Sequence, residues 1–177
     1  MILEESLLIG ILENMIDKGL VRKSDRQYNI TQKGKSAIKV VLSGGVFDII
    51  HPGHIFTLSS SKNLGDVLVV SVARDKTVSS TKGHDPLNRE DKRLELVSSL
   101  KSVDVAVLGS ERNIFDTLEM VRPDIVALGY DQKHNHETVE EESRKRGIVL
   151  KVVRINSPIP DIKSSSILKD ETIVNDF

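Results

Sequence analysis

The sequence predicts an α/β fold, a doubly wound parallel sheet, with a small α+β appendage at its amino-terminal end. From residue 39 onward, short apolar runs alternate with segments of helical periodicity, and the run at 66–73 is nearly continuous. Runs of this kind are typical of parallel strands, which are buried on both faces. Residues 1–38 follow a different pattern and therefore predict a separate unit.

In the appendage, apolar residues at helical spacing predict a first helix that ends at Gly19. Residues 20–30 are expected to form a hairpin, and Thr31 can cap a short helix that runs to Ile38. This segment resembles the recognition helix and wing of archaeal winged-helix domains, of which only about the second half is present. Its basic and acidic residues nearly balance, six against five, so it offers little positive potential to hold DNA. We expect a packing or dimerisation appendage whose apolar stripe needs a partner.

The main domain, residues 39–177, should alternate strands with helices in a doubly wound order. The predicted strands include residues 40–42, 66–73, 103–108, 125–128 and 148–153. The predicted helices are residues 55–63, 89–100, 114–121 and 138–146. Residues 74–86 are expected to form a polar loop that folds over a substrate, because the segment is too long for a mere connection. In such sheets ligands collect at the carboxyl ends of the strands.

One of these strand ends carries the sequence Ser-Gly-Gly-Val-Phe-Asp-Ile-Ile-His-Pro-Gly-His, residues 43–54. The glycines should let the backbone turn, and Pro52 suits the first turn of a helix. His51 and His54 then lie on one helix face, beside N–H groups that attract anions. This geometry suits a nucleoside triphosphate. A metal site or a pair of polar residues at a helix start are the alternatives, although no H-E-x-x-H pattern occurs here and the chain has no cysteine.

These residues resemble the G-x-F-D-x-x-H-x-G-H motif of the cytidylyltransferase-like nucleotidyltransferases. The resemblance implies a Rossmann-like fold, in which the histidines stabilise a triphosphate while its α-phosphorus is attacked and pyrophosphate leaves. Many members carry Thr where this chain has Val46, so only a backbone contact is expected there. By this resemblance the nucleotide-binding residues of the motif are Gly45, Val46, Phe47, Asp48, His51, Pro52, Gly53 and His54.

Two cationic residues further along the chain are candidates for contacting phosphate. Lys82 lies in the polar segment, where a solvated charged loop is the alternative interpretation. Arg93 is favoured over Arg89 because the family usually has an arginine at that position. Together with His51 and His54, these two residues form the expected catalytic set.

Two later segments complete the expected site. Gly129, Tyr130 and Asp131 end a strand and are candidates for contacting a nucleotide base or ribose, unless Asp131 only caps a turn. The Gly-Tyr-Asp-Gln sequence there and the residues after it resemble archaeal FAD synthases. Ser164, Ser165 and Ser166 read as a helix start, where serine caps are common. In the family such a cluster binds the β- and γ-phosphates.

The expected reaction joins ATP or CTP to a phosphorylated acceptor with release of pyrophosphate, and the resemblance favours ATP and FMN, giving FAD. A divalent ion, Mg²⁺, is expected to bridge the phosphates, since the sequence offers no dedicated carboxylate cage. Glycerol 3-phosphate or a sugar phosphate is the alternative acceptor. A ligand-responsive DNA-binding regulator is the alternative of another class.

Composition fits this interpretation. The chain has 177 residues, 38% of them hydrophobic, and a formal charge of -1, which predicts one main domain and argues against coating of nucleic acid. The absence of cysteine and of a long apolar stretch leads us to expect a cytoplasmic protein without a membrane segment. We further expect a homodimer.

Overall fold

The structure, a computed structural model, describes residues 5–25, 27–130 and 135–156. The chain divides into two compact units, Met1–Lys39 and Val40–Phe177. Among the described residues, no helix is both long enough and apolar enough to cross a membrane.

The first unit is a helix, a hairpin and a short helix, as predicted. Its elements are α1 (Glu5–Asp17), β1 (Val21–Ser24), β2 (Gln27–Ile30) and α2 (Gln32–Ser36). Gly19 follows α1 with a φ of 68°, a left-handed conformation that glycine adopts without strain. The Thr31 hydroxyl accepts the Gly34 N–H at 3.0 Å and caps α2, which ends two residues before the predicted Ile38. A Cβ on Gly34 would lie 2.0 Å from the carbonyl oxygen of Leu20, so this glycine allows α2 to pack directly on the hairpin.

The second unit is the predicted parallel sheet with its helices. Its elements are β3 (Val40–Gly45), α3 (Pro52–Lys62), β4 (Val67–Val72), α4 (Asp75–Lys82), α5 (Glu90–Ser98), β5 (Val105–Leu108), α6 (Ile114–Val121), β6 (Ile125–Gly129), α7 (His136–Lys145) and β7 (Lys151–Ile155). The strand order is β5-β4-β3-β6-β7, and every neighbouring pair is parallel. The central strands carry the core, because Val41, Leu68, Val70, Val72 and Ala127 are completely buried. The predicted fold class is therefore confirmed.

Two aspartates bond to strand backbones at the amino edge of this sheet. Asp124 accepts the N–H of Val40 at 2.7 Å, and Asp104 accepts the N–H of Leu68 at 2.6 Å. Burial alone would raise the pKa of Asp104, but its bonds from Leu68 and Lys62 outweigh burial and lower that pKa. These contacts lie at the edge opposite the predicted site.

The expectation of a polar loop over residues 74–86 is wrong, because α4 occupies most of that segment. Only Val78 of this helix is buried, so the sequence shows almost no apolar periodicity there. Gly83 ends α4 with a φ of 77°. A helix with a single buried residue is easily read as a loop, although a glycine placed just past the end is a typical stop signal.

The last predicted strand is also displaced. β7 begins at Lys151, three residues later than expected. Ile148 is buried, but its N–H bonds to Ser143 at 3.0 Å in the turn that closes α7. Its apolar side chain therefore belongs to the end of a helix, which apolar content alone does not distinguish from the start of a strand.

Candidate active site

The candidate site lies where the winding of the sheet reverses. From β3 the chain crosses to β4 on one side, whereas it later returns to β6 on the other. The two strands are paired in register, and the Ser43 hydroxyl donates to the Ala127 carbonyl at 3.1 Å. Their carboxyl ends are thus adjacent, and residues 46–54 and Tyr130 continue the chain from the same edge of the sheet. Ligands of open α/β sheets bind at such a switch point.

The two glycines of the motif serve close packing. Both belong to β3, which extends to Gly45. A Cβ on Gly44 would lie 3.3 Å from the carbonyl oxygen of Ser71 on the neighbouring strand. A Cβ on Gly45 would lie 2.9 Å from Cζ of Phe47. The Phe47 ring therefore folds back over a surface that only glycine provides.

Phe47, and not the glycine pair, makes the turn expected at this point. Its φ is 56°, in the left-handed region, which is a genuine outlier for a bulky side chain. The ring is 3% exposed and lies with its centroid 5.2 Å from that of His54. The strained residue of the motif is thus in contact with one of its two histidines.

The histidines begin α3 side by side, as predicted. His51 is the extended residue before the helix, Pro52 occupies the first turn, and Gly53 is buried. The ring centroids of His51 and His54 are 4.0 Å apart with a tilt of 40°. Two imidazoles and the positive end of a helix dipole therefore converge at one place, which suits a multiply charged anion.

Asp48 uses its carboxylate within the protein. It is 6% exposed, and its two oxygens accept the N–H groups of Leu87 and Asn88, each at 2.8 Å. The Asn88 side chain returns a bond from Nδ2 to the Asp48 carbonyl at 2.8 Å. The motif loop is therefore fastened to the segment before α5.

Arg93 is completely buried, and its guanidinium donates to three protein acceptors. These are the Val46 carbonyl at 2.6 Å, the Asp75 carboxylate at 2.7 Å and the Asn88 carbonyl at 2.9 Å. Burial alone would raise the pKa of Asp75, but the bonds from Arg93 and from the Glu90 backbone outweigh it and lower that pKa. The structure brings Arg93 to the motif loop, where it contacts the backbone.

The lysines of the former polar segment lie on the surface. Lys82 is exposed in the last turn of α4. Lys76 is also exposed and lies 3.5 Å from Glu111, which Arg74 approaches to 3.4 Å. The structure does not bring Lys82 into any described contact with the two histidines.

The segment after β6 is held by an arginine that the sequence interpretation did not single out. Arg154 donates to the carbonyls of Gly129 at 2.9 Å and Tyr130 at 3.4 Å, and its Nε donates to His136 at 3.2 Å. These bonds fix the backbone at the carboxyl end of β6. The remaining predicted residues, Asp131 and Ser164, Ser165 and Ser166, lie outside the described residues.

A mainly apolar groove of about 630 Å³ adjoins His51. Its lining consists of Ile50, His51, Pro52, Ile55, Phe56 and Ser59. Two of its side chains are unusually accessible for their size, Ile55 at 43% and Phe56 at 37%. Apolar surface is therefore open to a ligand directly beside the start of α3.

The described part of the chain holds no group of three or more His, Cys, Asp or Glu side chains suited to a metal ion. Asp48, the carboxylate of the motif, already accepts two backbone N–H groups. The described residues therefore do not fit a dedicated metal centre.

The sequence did not predict the contacts that Asn88, Asp75 and Arg154 make at this edge. These contacts join residues at least 18 positions apart along the chain: Asn88 with Asp48, Arg93 with Asp75, and Arg154 with Gly129. No local pattern marks such pairs. The polar run before α5 was the available signal, but it is equally typical of a solvated turn.

Comparison with known proteins places these features in a family. The family model described as cytidylyltransferase-like matches residues 42–170. The FAD synthase of Aciduliprofundum boonei is 56% identical over 115 residues, which is 65% of this chain and 76% of that protein. The FAD synthase of Methanosarcina barkeri is 47% identical over 132 residues, 73% of this chain and 94% of that protein.

A solved structure agrees with these sequence relationships. A protein from Thermoplasma volcanium, described as a lipopolysaccharide core biosynthesis protein, is 48% identical and superposes with a TM-score of 0.65 over 68% of this chain and 98% of its own. The family match begins inside β3, so it leaves the first unit outside. The histidine pair, the parallel sheet and these relationships lead to one conclusion: the chain belongs to the cytidylyltransferase-like family of nucleotidyltransferases.

Proposed function

We propose that this protein is an FAD synthase, which transfers the adenylyl group of ATP to FMN and releases pyrophosphate. The observation that carries the proposal is the pair His51 and His54 at the start of α3, at the switch point of the sheet. The names of the relatives supply the acceptor, because proteins 56% identical over 115 residues and 47% identical over 132 residues are FAD synthases. A mainly apolar groove beside His51 favours an acceptor with a large ring over glycerol 3-phosphate.

The reaction needs no protein nucleophile. A phosphate oxygen of FMN attacks the α-phosphorus of ATP in line, a new P–O bond forms, and the bond to the β-phosphate oxygen breaks. Both electrons of that bond leave with pyrophosphate. Since the FMN phosphate is already ionised at neutral pH, no general base is required, and catalysis consists of alignment and stabilisation of developing negative charge.

In this proposal His51, His54 and the first turn of α3 stabilise the phosphates, and Gly129 and Tyr130 contact the nucleoside. The backbone of residues 45–48 borders the same site. Asp131, the three serines and Lys82 keep their predicted roles as ligands of nucleotide and phosphate. ATP enters as its Mg²⁺ complex, so the ion is part of the substrate and is held by the phosphates.

A sugar phosphate is the second candidate acceptor, because the related Thermoplasma volcanium protein is described by lipopolysaccharide core biosynthesis. One assay separates the candidates. Pyrophosphate release is measured with ATP or CTP against FMN, glycerol 3-phosphate, heptose phosphate and phosphopantetheine, all with Mg²⁺. We expect turnover with ATP and FMN and formation of FAD. Turnover confined to heptose phosphate refutes the flavin assignment, and no turnover with any pair, in a folded sample, refutes nucleotidyl transfer.

For the first unit we propose self-association. Three of its apolar side chains are strongly exposed for their type, Ile9 at 48%, Ile11 at 43% and Ile30 at 52%. Light scattering should give the mass of a dimer for the whole chain. A protein that begins at residue 39 should have a mass below that of its dimer. A monomeric whole chain contradicts this proposal.

A further inference from the structure

The motif loop contains a strained residue between two anchored ones. Phe47 has a φ of 56°, although it carries a large side chain. The carbonyl of Val46 before it accepts a bond from Arg93 at 2.6 Å. Asp48 after it is held through three bonds of 2.8 Å to Leu87 and Asn88. Strained backbone persists only where its surroundings determine it, and here they do so from both sides.

All of these anchors come from one short segment, residues 87–93. Asn88 contributes three of the contacts, because its N–H and Nδ2 donate to Asp48 and its carbonyl accepts from Arg93. This segment is far from the motif in sequence but not in space. Two of these contacts use the backbone of Asn88, so a substitution there removes only the bond from Nδ2 to the Asp48 carbonyl and alters no residue of the motif.

The same segment also holds the start of α4. Arg93 donates to the Asp75 carboxylate at 2.7 Å, and the Asp75 N–H donates to Glu90 at 2.8 Å. Residues 88–93 thus connect the two segments that leave the carboxyl ends of β3 and β4. The loop and the start of α4 share one support.

The support of the loop affects the two histidines through the position of the Phe47 ring. Its centroid lies 5.2 Å from that of His54, and His54 is 4.0 Å from His51. A relaxed Phe47 backbone would turn the ring away and leave His54 with a different neighbour. Displacements of about 1 Å at a catalytic centre can cost about a hundredfold in rate.

We propose that Asn88 is a positioning residue for nucleotidyl transfer: with Arg93 it holds Phe47 in its left-handed conformation, which sets the orientation of His54. Asn88 bonds to Asp48 and Arg93, so its effect on His54 passes through the loop. The kinetic part of this inference rests on the proposed function, but the orientation of His54 does not.

The test compares Asn88→Asp with Asn88→Ala. Aspartate keeps the size of asparagine but turns an oxygen toward the Asp48 carbonyl, in place of a donor at 2.8 Å. If the hydrogen bond matters, Asn88→Asp is the more damaging change, with kcat about a hundredfold lower, against about tenfold for Asn88→Ala. If the Asn88 side chain only fills space, Asn88→Ala is the more damaging change. Since Asn88 is exposed, neither variant opens a cavity in the core.

Asp104→Ala is the matched control. It also removes a side-chain bond to backbone, from Leu68 N–H, but at the amino edge of the sheet. We expect it to lower thermal stability while leaving kcat near the wild-type value. In the Asn88 variants the KM for ATP should change less than threefold, roughly, because the substrate contacts remain while the transition-state geometry is lost.

A proton NMR measurement separates this inference from the proposed function. The ring current of Phe47 acts on the His54 ring, whose signal is assigned by its loss in His54→Ala. Both Asn88 variants should displace that signal, and Asp104→Ala should leave it in place, whatever the acceptor proves to be. Unchanged His54 signals in both Asn88 variants, equal damage by Asp104→Ala, or a more active Asn88→Asp than Asn88→Ala overturns the proposal.

Discussion

Gly45→Ala is the substitution whose effect the structure defines most sharply. The new Cβ would lie 2.9 Å from Cζ, 3.0 Å from Cε2 and 3.4 Å from Cε1 of Phe47. Since ordinary carbon contacts lie at about 3.5–4.0 Å, the ring must retreat by roughly 0.5–1 Å. It cannot do so freely, because it is 3% exposed and packs against His54.

Two magnitudes follow from this clash. Overpacking of this kind destabilises a protein by about 1–3 kcal/mol, which lowers the melting temperature by roughly 3–9 °C in a chain of this size. Because the displaced ring moves His54, kcat should fall by about ten- to a hundredfold. Pyrophosphate release under saturating ATP and FMN measures the rate, and thermal unfolding measures the stability.

Gly44→Ala is the matched comparison, one residue earlier in the same strand. Its Cβ would lie 3.3 Å from the carbonyl oxygen of Ser71 and does not approach the Phe47 ring. We expect a smaller stability loss and a kcat close to that of the wild type. The double-mutant cycle with Phe47→Ala completes the test, since Gly45→Ala should cost less than about 0.5 kcal/mol once the ring is gone. An unchanged kcat in Gly45→Ala, or an equal cost in both backgrounds, refutes the reasoning.

Three further predictions concern other parts of the molecule. His54→Ala should lower turnover by about a hundredfold, the scale for one lost stabilising donor, with little change in unfolding, and a rate near wild type would make the histidine structural. Asp104 has a lowered pKa in the folded state, so its stabilising contribution is present above the unfolded pKa of about 3.9 and is lost as pH falls through the folded value. The difference in unfolding free energy between wild type and Asp104→Asn should therefore be largest near neutral pH and shrink in acid, and a difference independent of pH contradicts this. Deletion of residues 1–38 should spare pyrophosphate release, because the family match begins at residue 42, and loss of turnover in a folded remainder would assign the first unit a part in the site.

The fold was predictable because its strands are buried on both faces. Leu68 and Val70 are completely buried, so the run that contains them is apolar regardless of where each side chain points. The start of α3 was equally predictable, since Pro52 in a first turn is a local signal. The helix at Asp75–Lys82 was not predicted because it buries only Val78 and so has no apolar stripe. Features that depend on a local pattern could therefore be predicted from the sequence.

The sequence predicted which residues lie at the site better than it predicted the contacts that each of them makes. The histidines lie together, as their spacing required. Arg93, a predicted phosphate contact, is completely buried and donates to the Val46 carbonyl, a contact that the sequence did not indicate, and the turn expected at the glycines falls at Phe47. Both differences depend on contacts that arise only when residues 87–93 meet the motif in three dimensions, and no periodicity encodes them.

This dependence changes how the motif should be understood. Its histidines and helix start are local, but the conformation that orients them is imposed from outside by residues such as Asn88. A strained loop left to itself would relax, since a left-handed Phe costs about 1–3 kcal/mol. The ten-residue pattern therefore does not by itself determine the geometry of the two histidines. Transfer of that pattern to another α/β scaffold should fail to reproduce the histidine geometry unless the segment before α5 and its Arg93 anchor are transferred with it.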